Sequence, residues 1–431
     1  MLHENLSINE NGHLCIAGAD TVDLAKKHGT PLMVMDEARI KRNFSIYRDA
    51  MKKFFGADSF PAFASKSFSC KYIYRIAKEM GVGIDIVSSG ELYTALEAGF
   101  DVSKSFFHGN NKTDFDIRYG IDNGVGYFVV DNMTELDVID EIAKEKGIVQ
   151  PVILRLTPGI DPHTHSAITT GQVDSKFGIA IETGQADEAV KYTLSKKNVR
   201  LDGFHCHIGS QIFEIKPFCD SADIMIKYIA QIKEKFGYEI KILNLGGGFG
   251  VRYIFSQPEL DYADFIRQIA QHIDSEIANS KIKKPTIIME PGRSIVADSC
   301  LTLYTVGGTK EIHGFKNYVS VDGGMPDNPR YALYQADYTV ELASKMNEIK
   351  DFNCTVAGRC CESGDLLQEN VLIPKPIRGD ILAVLVTGAY NYSMASNYNR
   401  IPRPKVVAIS DGCDVEIIRR ESLADLTKND L

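Results

Sequence analysis

Short runs of β-branched and aromatic residues recur along the first two thirds of the chain, each followed by apolar positions repeating at helical spacing. The runs Pro61–Ala64, Gly83–Ile86, Lys104–Phe107, Gly126–Val130, Pro151–Leu156, Asp202–Cys206, Lys241–Leu245 and Pro285–Met289 predict eight strands. Helical spacing predicts helices over Lys71–Met80, Gly90–Ala98, Met133–Lys146, Phe218–Phe236 and Tyr262–Ala278. Ser88-x-x-Glu91 has the form of a capping box opening the second of these, with Gly99 as its stop signal. Eight alternating units predict an α/β fold, a TIM-like (β/α)8 barrel.

The pattern differs at both ends. Leu6–Asn9 and His13–Ile16 flank an Asn11-Gly12 turn and read as a hairpin. A short helix (Thr21–His28), the strand Pro31–Met35 and a helix at about Glu37–Phe55 follow. After about Arg293, the strands Leu301–Val306, Asn317–Val321, Cys354–Ala357, Ile381–Val386 and Lys405–Ser410 alternate with Gly, Pro and Asp turns. Helical spacing there is confined to about Tyr338–Lys345 and the tail. The hairpin has no place in a barrel, so it joins a C-terminal β-sandwich or β-barrel domain. The expected domains are 36–290, and 1–35 with 291–431.

At 431 residues the chain is long enough for two domains, because single cores stop growing near ~250–300 residues. A formal charge of −9, without a basic stripe interleaved with aromatics, argues against nucleic acid and toward a small-molecule substrate. The opening residues carry neither a basic n-region nor an apolar core, so no secretory signal is expected. No apolar run reaches the ~18–20 residues of a membrane helix. Nine cysteines, an odd number without a CxxC pair, suit a reducing compartment. The expectation is a cytoplasmic protein away from membranes.

Functional residues of such barrels lie at the C-terminal strand ends. Those ends carry Lys66, Asp85, His108, Asp131, Arg155, His205 or His207, Gly246-Gly247-Gly248 and Glu290. Lys66 could snorkel from the rim, or it could be a Schiff-base lysine, which needs a desolvated site so that the free amine attacks an aldehyde. The glycines after the seventh strand could form a tight turn. They could also leave backbone N–H groups free for an anion at the usual phosphate position. No Walker-A lysine follows.

Glu290-Pro291-Gly292-Arg293 could be a capped turn. Alternatively, Arg293 holds a phosphate or carboxylate, and Glu290 keeps a pyridine nitrogen protonated. His205-x-His207 and His163-x-His165 permit a metallohydrolase reading. Stacking of His207 on a flat ring competes with it, and the metal reading leaves the glycines without a role; no metal is expected. Cys360-Cys361-Glu362-Ser363-Gly364-Asp365 could be packing residues, or could present a thiol that protonates a carbanion.

Together these residues resemble the fold-type III pyridoxal-phosphate decarboxylases, which use an alanine-racemase-like barrel, over essentially the whole chain. The motifs come in the family's order: Ala62–Ser67, Asp85–Glu91, His205–Gln211, Gly246–Gly248, Glu290–Arg293, Asp322–Tyr334, Cys361–Asp365 and Gly388–Tyr390. The segments 207–211, 322–325, 330–334 and 390–399 are similar to the diaminopimelate decarboxylases in particular. Phe63-Ala64-Ser65-Lys66-Ser67-Phe68 departs from the family's Tyr-Ala-x-Lys-Ala-Asn, yet the Lys66-to-Asp85 spacing is kept.

The resemblance implies pyridoxal 5'-phosphate on Lys66, with His207 stacked on its ring and Glu290 on its pyridinium. Asp85, Ser210, Gly246, Gly247, Gly248, Pro291, Gly292, Arg293 and Tyr390 would complete the cofactor site. Arg293, Arg330 and Tyr334 would read the substrate's distal carboxylate, with Glu362 at its distal ammonium and Ser363 and Tyr390 also binding the substrate. Cys361 would protonate the carbanion. In the family, Cys361 and Glu362 reach the partner's site, which implies a homodimer. The implied reaction is decarboxylation of meso-2,6-diaminopimelate to L-lysine. Other basic amino acids or racemisation are the rivals, and racemases carry an arginine where Glu290 stands. A non-catalytic binding homologue would lose cofactor residues that this chain retains.

Overall fold

The computed structural model describes residues 1–160, 176–280 and 282–431. His163 and His165 lie outside the described residues. The chain divides into two compact units, residues 43–250 with 260–293, and residues 1–42 with 251–259 and 294–431.

The first unit is a closed parallel barrel. Its strands are β1 (Phe60–Ala64), β2 (Gly83–Ile86), β3 (Ser105–Phe107), β4 (Tyr127–Val130), β5 (Gln150–Thr157), β6 (Val199–His205), β7 (Ile242–Asn244) and β8 (Thr286–Met289). They pair in that order, and β8 closes on β1 through Ile288↔Phe60 and Met289↔Pro61. The strands read as apolar runs because both faces are buried, one by the barrel interior and one by helices. Ala62, Phe106, Val129, Ile153, Ile242 and Ile288 form one interior cluster, covered by Phe60 and Tyr127. Phe106 stacks on Tyr127 with centroids 5.1 Å apart.

Helix Lys216–Phe236 turns Phe218, Ala222, Met225, Ile226, Ile229 and Ile232 inward at three- and four-residue spacing. Gly237, at φ 64°, ends it in the left-handed conformation that costs glycine least. Two helices, Asp114–Asp122 and Gln185–Ser195, add to those read from the sequence. Ser88 does cap helix Ser89–Glu97, accepting from the Glu91 N–H. The Glu91 carboxylate, however, accepts from Val87, one residue before the cap, at 2.7 Å.

In the second unit, Leu6–Ile8 and Leu14–Ile16 pair antiparallel, and Ala19–Asp20 extends them to a three-stranded sheet. Asp20 caps helix Thr21–His28 by accepting from Val22 and Asp23. Leu32–Asp36 enters a separate nine-stranded sheet, antiparallel to Cys300–Ile312 and parallel to Lys405–Ser410. Leu366–Ile373 and Cys413–Ile418 are further strands of that sheet.

The helical spacing at Tyr338–Lys345 is overturned. Val340–Leu342 is a strand, antiparallel to Ile381–Leu385. Apolar residues at 338, 340, 342 and 343 satisfy both periods, and the neighbouring strand, through its ladder hydrogen bonds, decides between them. All nine cysteines are free. Among the described residues no helix is long and apolar enough to cross a membrane.

Candidate active site

The barrel's register aligns the strand ends that carry polar side chains. Ala64 pairs with Asp85, His205 with both Arg155 and Asn244. Glu290 follows β8 directly and is buried among three donors. His108 Nε2 lies 2.7 Å and Asn244 Nδ2 2.6 Å from Oε1, and His205 Nε2 lies 3.1 Å from Oε2. Burial alone would raise the Glu290 carboxyl, but the two imidazoles outweigh it and hold the group well below its usual range. Burial drives His205 down to about 4 and His207 well below its ordinary value, with the Lys66 charge adding to the effect on His207. The mouth therefore holds an ionised carboxylate beside neutral imidazole rings.

His205 and His207 do not converge as a metal pair. Among the described residues, the set with three ligand atoms within 4.8 Å is His108, His205 and Glu290. His207 Nδ1 instead faces the Gly247 N–H at 3.3 Å.

Lys66 leaves the end of β1 in a single 3-10 turn, Ser65–Ser67. Its charge is felt at Asp85, Glu91 and His207, which places all four around one mouth. The desolvation expected of this lysine is not supplied by the strand, since the side chain is exposed. A strand end at an open barrel mouth aims a side chain without covering it. Phe68, the bulky departure from the family pattern, is fully buried in the core and leaves the mouth to Lys66.

Asp85 is buried, and its Oδ1 has no hydrogen-bond partner. Burial pushes its carboxyl up to about 6, and burial with the Asp85 charge pushes Glu91 up to about 7. Folded Asp85 thus holds its proton above the ordinary 3.8, so its contribution to stability falls as pH rises through about 4 to 6. In cofactor-free protein, Asp85→Asn should raise stability at pH 8 by up to about 3 kcal/mol and change little at pH 4. Thermal melts at the two pH values decide this; an equal Tm difference at both would contradict it.

Close backbone packing also requires the glycine run. A Cβ at Gly247 would overlap the Glu290 carbonyl oxygen, and one at Gly248 would overlap that of Gly209. Gly246 and Gly248 have φ of +65° and +116°. The Gly246 N–H is used internally, bonding Asn244 Oδ1 at 2.9 Å, and Gly247 faces His207. Two of the three N–H groups are therefore not free for an anion. The same close packing brings Arg293 to this loop, where its Nη2 donates to Ser210 Oγ at 2.9 Å. Pro291 O accepts from the Ala64 N–H at 3.1 Å, and a Cβ at Gly292 would stand 2.8 Å from that of Ala64, so the Glu290–Arg293 segment lies against the end of β1.

Asn244 was not singled out as a site residue, although an amide on an otherwise apolar strand just before three glycines was a readable signal. It holds Glu290 with one end and the glycine turn with the other. Behind the mouth, Lys112 donates to Glu135, Val129 O and Gly109 O, and Glu135 accepts the Asp131 N–H. Asp131 in turn takes the Gly178 N–H at 2.8 Å, and Arg155 covers the Phe177 ring at 4.4 Å.

In the sheet-rich unit, the buried Arg330 guanidinium lies over the rings of Tyr334 (5.3 Å) and Tyr390 (5.5 Å). Arg330 Nε is buried without a hydrogen-bond partner. Cys361, Glu362 and Ser363 sit on an exposed segment of the same unit. The Cys361 N–H bonds Asn399 Oδ1 at 2.9 Å, and Glu362 Oε1 accepts from Gly364.

Residues 37–297 match the pyridoxal binding domain of the pyridoxal-dependent decarboxylases. The chain is 45% identical to the diaminopimelate decarboxylase of Halalkalibacterium halodurans over 429 residues, 100% of this chain and 98% of that one. Identity to the Bacillus subtilis enzyme is 43% over 430 residues, with 100% and 98% covered. The chain belongs to the diaminopimelate decarboxylase family. Its fold follows that of the M. jannaschii diaminopimelate decarboxylase in co-complex with L-lysine, with a TM-score of 0.91 at 35% identity, covering 100% of this chain and 98% of that one. Membership makes this chain a pyridoxal-phosphate-dependent carboxy-lyase. The mouth fits that cofactor on its own terms. It presents an ionised carboxylate, an exposed primary amine, an unpartnered buried carboxylate oxygen, and an arginine–serine pair at a glycine loop.

Proposed function

We propose that this chain removes one carboxyl group from meso-2,6-diaminopimelate, giving L-lysine and CO2, through the residues named below. The observation that carries the substrate reading is Arg330, buried against two tyrosine rings with Nε unpartnered. Such a group fits a substrate bearing a second carboxylate, which lysine, ornithine and arginine lack. The M. jannaschii relative's complex with L-lysine agrees with lysine as product.

Lys66 is the amine that would bond the cofactor aldehyde, with Asp85 beside it as a negative partner. His207, neutral, would stack on the cofactor ring, and Glu290, ionised, would hold the pyridine nitrogen in its protonated form. His108, His205 and Asn244 keep Glu290 charged and aimed. Ser210, Gly246 to Gly248, Pro291, Gly292, Arg293 and Tyr390 would surround the phosphate. When bound, pyridoxal phosphate supplies the electron sink for the pair left by departing CO2.

Arg330, Tyr334 and Tyr390, with Arg293, hold the distal carboxylate; Glu362 and Ser363 hold the distal ammonium. Cys361 delivers the proton that replaces CO2. Cys361 and Glu362 serve the site of a second copy, so the working form is a cytoplasmic homodimer with shared sites, built on the domains 36–290 and 1–35 with 291–431.

The test is CO2 release and lysine formation from meso-diaminopimelate with added pyridoxal phosphate, beside L-lysine, L-ornithine and L-arginine. Turnover of diaminopimelate alone is expected. Turnover of a basic amino acid instead would remove the roles given to Arg330, Tyr334 and Glu362.

A further inference from the structure

Two loops of the sheet-rich unit carry residues of the proposed site. One runs from Asp322 to the helix Arg330–Tyr334, and the other from Gly358 to Asp365. They are joined through one side chain. Asp365 is 2% exposed; its Oδ1 accepts the Met325 N–H at 2.6 Å and its Oδ2 the Cys360 N–H at 2.7 Å. Around it, Gly358 N–H bonds Asp365 O, Arg359 N–H bonds Gly323 O, and Asp365 N–H bonds Glu362 O, at 2.9, 2.9 and 3.1 Å. A Cβ on Gly324 or Gly358 would overlap the Asp365 carboxylate, so this seat has no room for a larger group.

We propose that Asp365 is a positioning residue that sets the turn carrying Arg330 and the segment carrying Cys361 in one geometry. From Met325 the turn continues through Asp327 and Asn328, whose N–H groups both bond Gly324 O, directly into the Arg330 helix. From Cys360 the segment continues into Cys361, whose own N–H is held by Asn399. The adjacent thiols thereby divide their tasks. Burial, with Asp365 beside it, pushes the Cys360 thiol up to about 12, while the Cys361 side chain stands exposed.

A carboxylate suits this seat because both neighbours are donors. An amide would turn its NH2 against one of the two N–H groups, leaving that donor buried and unpaired. The inference rests on the reading that Arg330 and Cys361 serve the reaction. On the dimer reading they serve opposite sites, so one side chain shapes both.

The test compares full-length holoenzyme with Asp365→Asn, Asp365→Glu and Gly358→Ala. Asp365→Asn should raise the KM for diaminopimelate and lower kcat per bound cofactor, each by about tenfold, the scale of a small displacement of a reacting group. Asp365→Glu should not rescue, since it keeps the charge but overfills the seat. Gly358→Ala, which presses on the same carboxylate, should show the same paired change. Iodoacetamide labelling, read by peptide mass, should show Cys360 becoming reactive and the Cys361 rate changing by about fivefold or more.

A purely structural residue would reduce the yield of folded enzyme and leave KM, kcat per bound cofactor and both labelling rates native. That result overturns the proposal, as does full rescue by Glu. Arg330→Ala alongside separates the two levels. Native kinetics there would remove the substrate reading, while the labelling rates still decide the role of Asp365.

Discussion

Lys66→Ala is expected to release no measurable CO2, a loss of at least about 10⁴-fold, and to lack the absorption band near the visible edge that the lysine-bound cofactor gives. The size of the effect follows from losing the amine proposed to bond the cofactor aldehyde. Lys112 is another lysine close to these strand ends, and its three N–H groups are committed to Gly109 O, Val129 O and Glu135. Its burial and its pairing with Glu135 tie it in place. The variant should fold, because the Lys66 side chain is exposed and Ser65, Ser67 and Phe68 carry the packing of that turn. Absorbance after reconstitution and CO2 release are the measurements; an unchanged spectrum would sink the assignment.

Arg330→Ala should lower kcat/KM for diaminopimelate by about 2–5 kcal/mol, the cost of leaving a buried carboxylate unpaired. Contact with the two tyrosine rings restricts the guanidinium, and its Nε is left unpartnered for a carboxylate. Arg330→Lys should recover only part of the loss, because an ammonium is a point charge without the planar fork. The helix that carries Arg330 is short, running only to Tyr334, and ends at Gln335 in the left-handed region. Steady-state kinetics with diaminopimelate check this, and native constants would show that another group reads the distal carboxylate.

Much of the barrel was legible because its signals are local. A parallel strand buried on both faces must be apolar along its length, and a polar residue at its end stands out. Thus Lys66, Asp85, His108, Arg155, His205 and Glu290 could be picked out as strand ends from the chain alone. Asp114–Asp122 was not picked out, although Thr113 and Asp116 form a capping box there. The segment Tyr338–Lys345 was misread because alternation and helical spacing coincide over so few residues.

By itself, the sequence determined the eight-strand barrel, the β-rich remainder, and the polar side chains at the strand ends that are proposed to hold pyridoxal phosphate, since periodicity and motif spacing are written along the chain. Tertiary structure alone decided which donors surround Glu290, because His108, His205 and Asn244 come from three different strand ends and meet only when the barrel closes. It decided that Gly247 and Gly248 pack closely against Glu290 and Gly209, a steric fact with no trace in spacing. It also decided that Asp365 spans two loops forty residues apart. Hydrogen bonds between distant segments depend on where the chain returns, and a linear pattern does not carry that information.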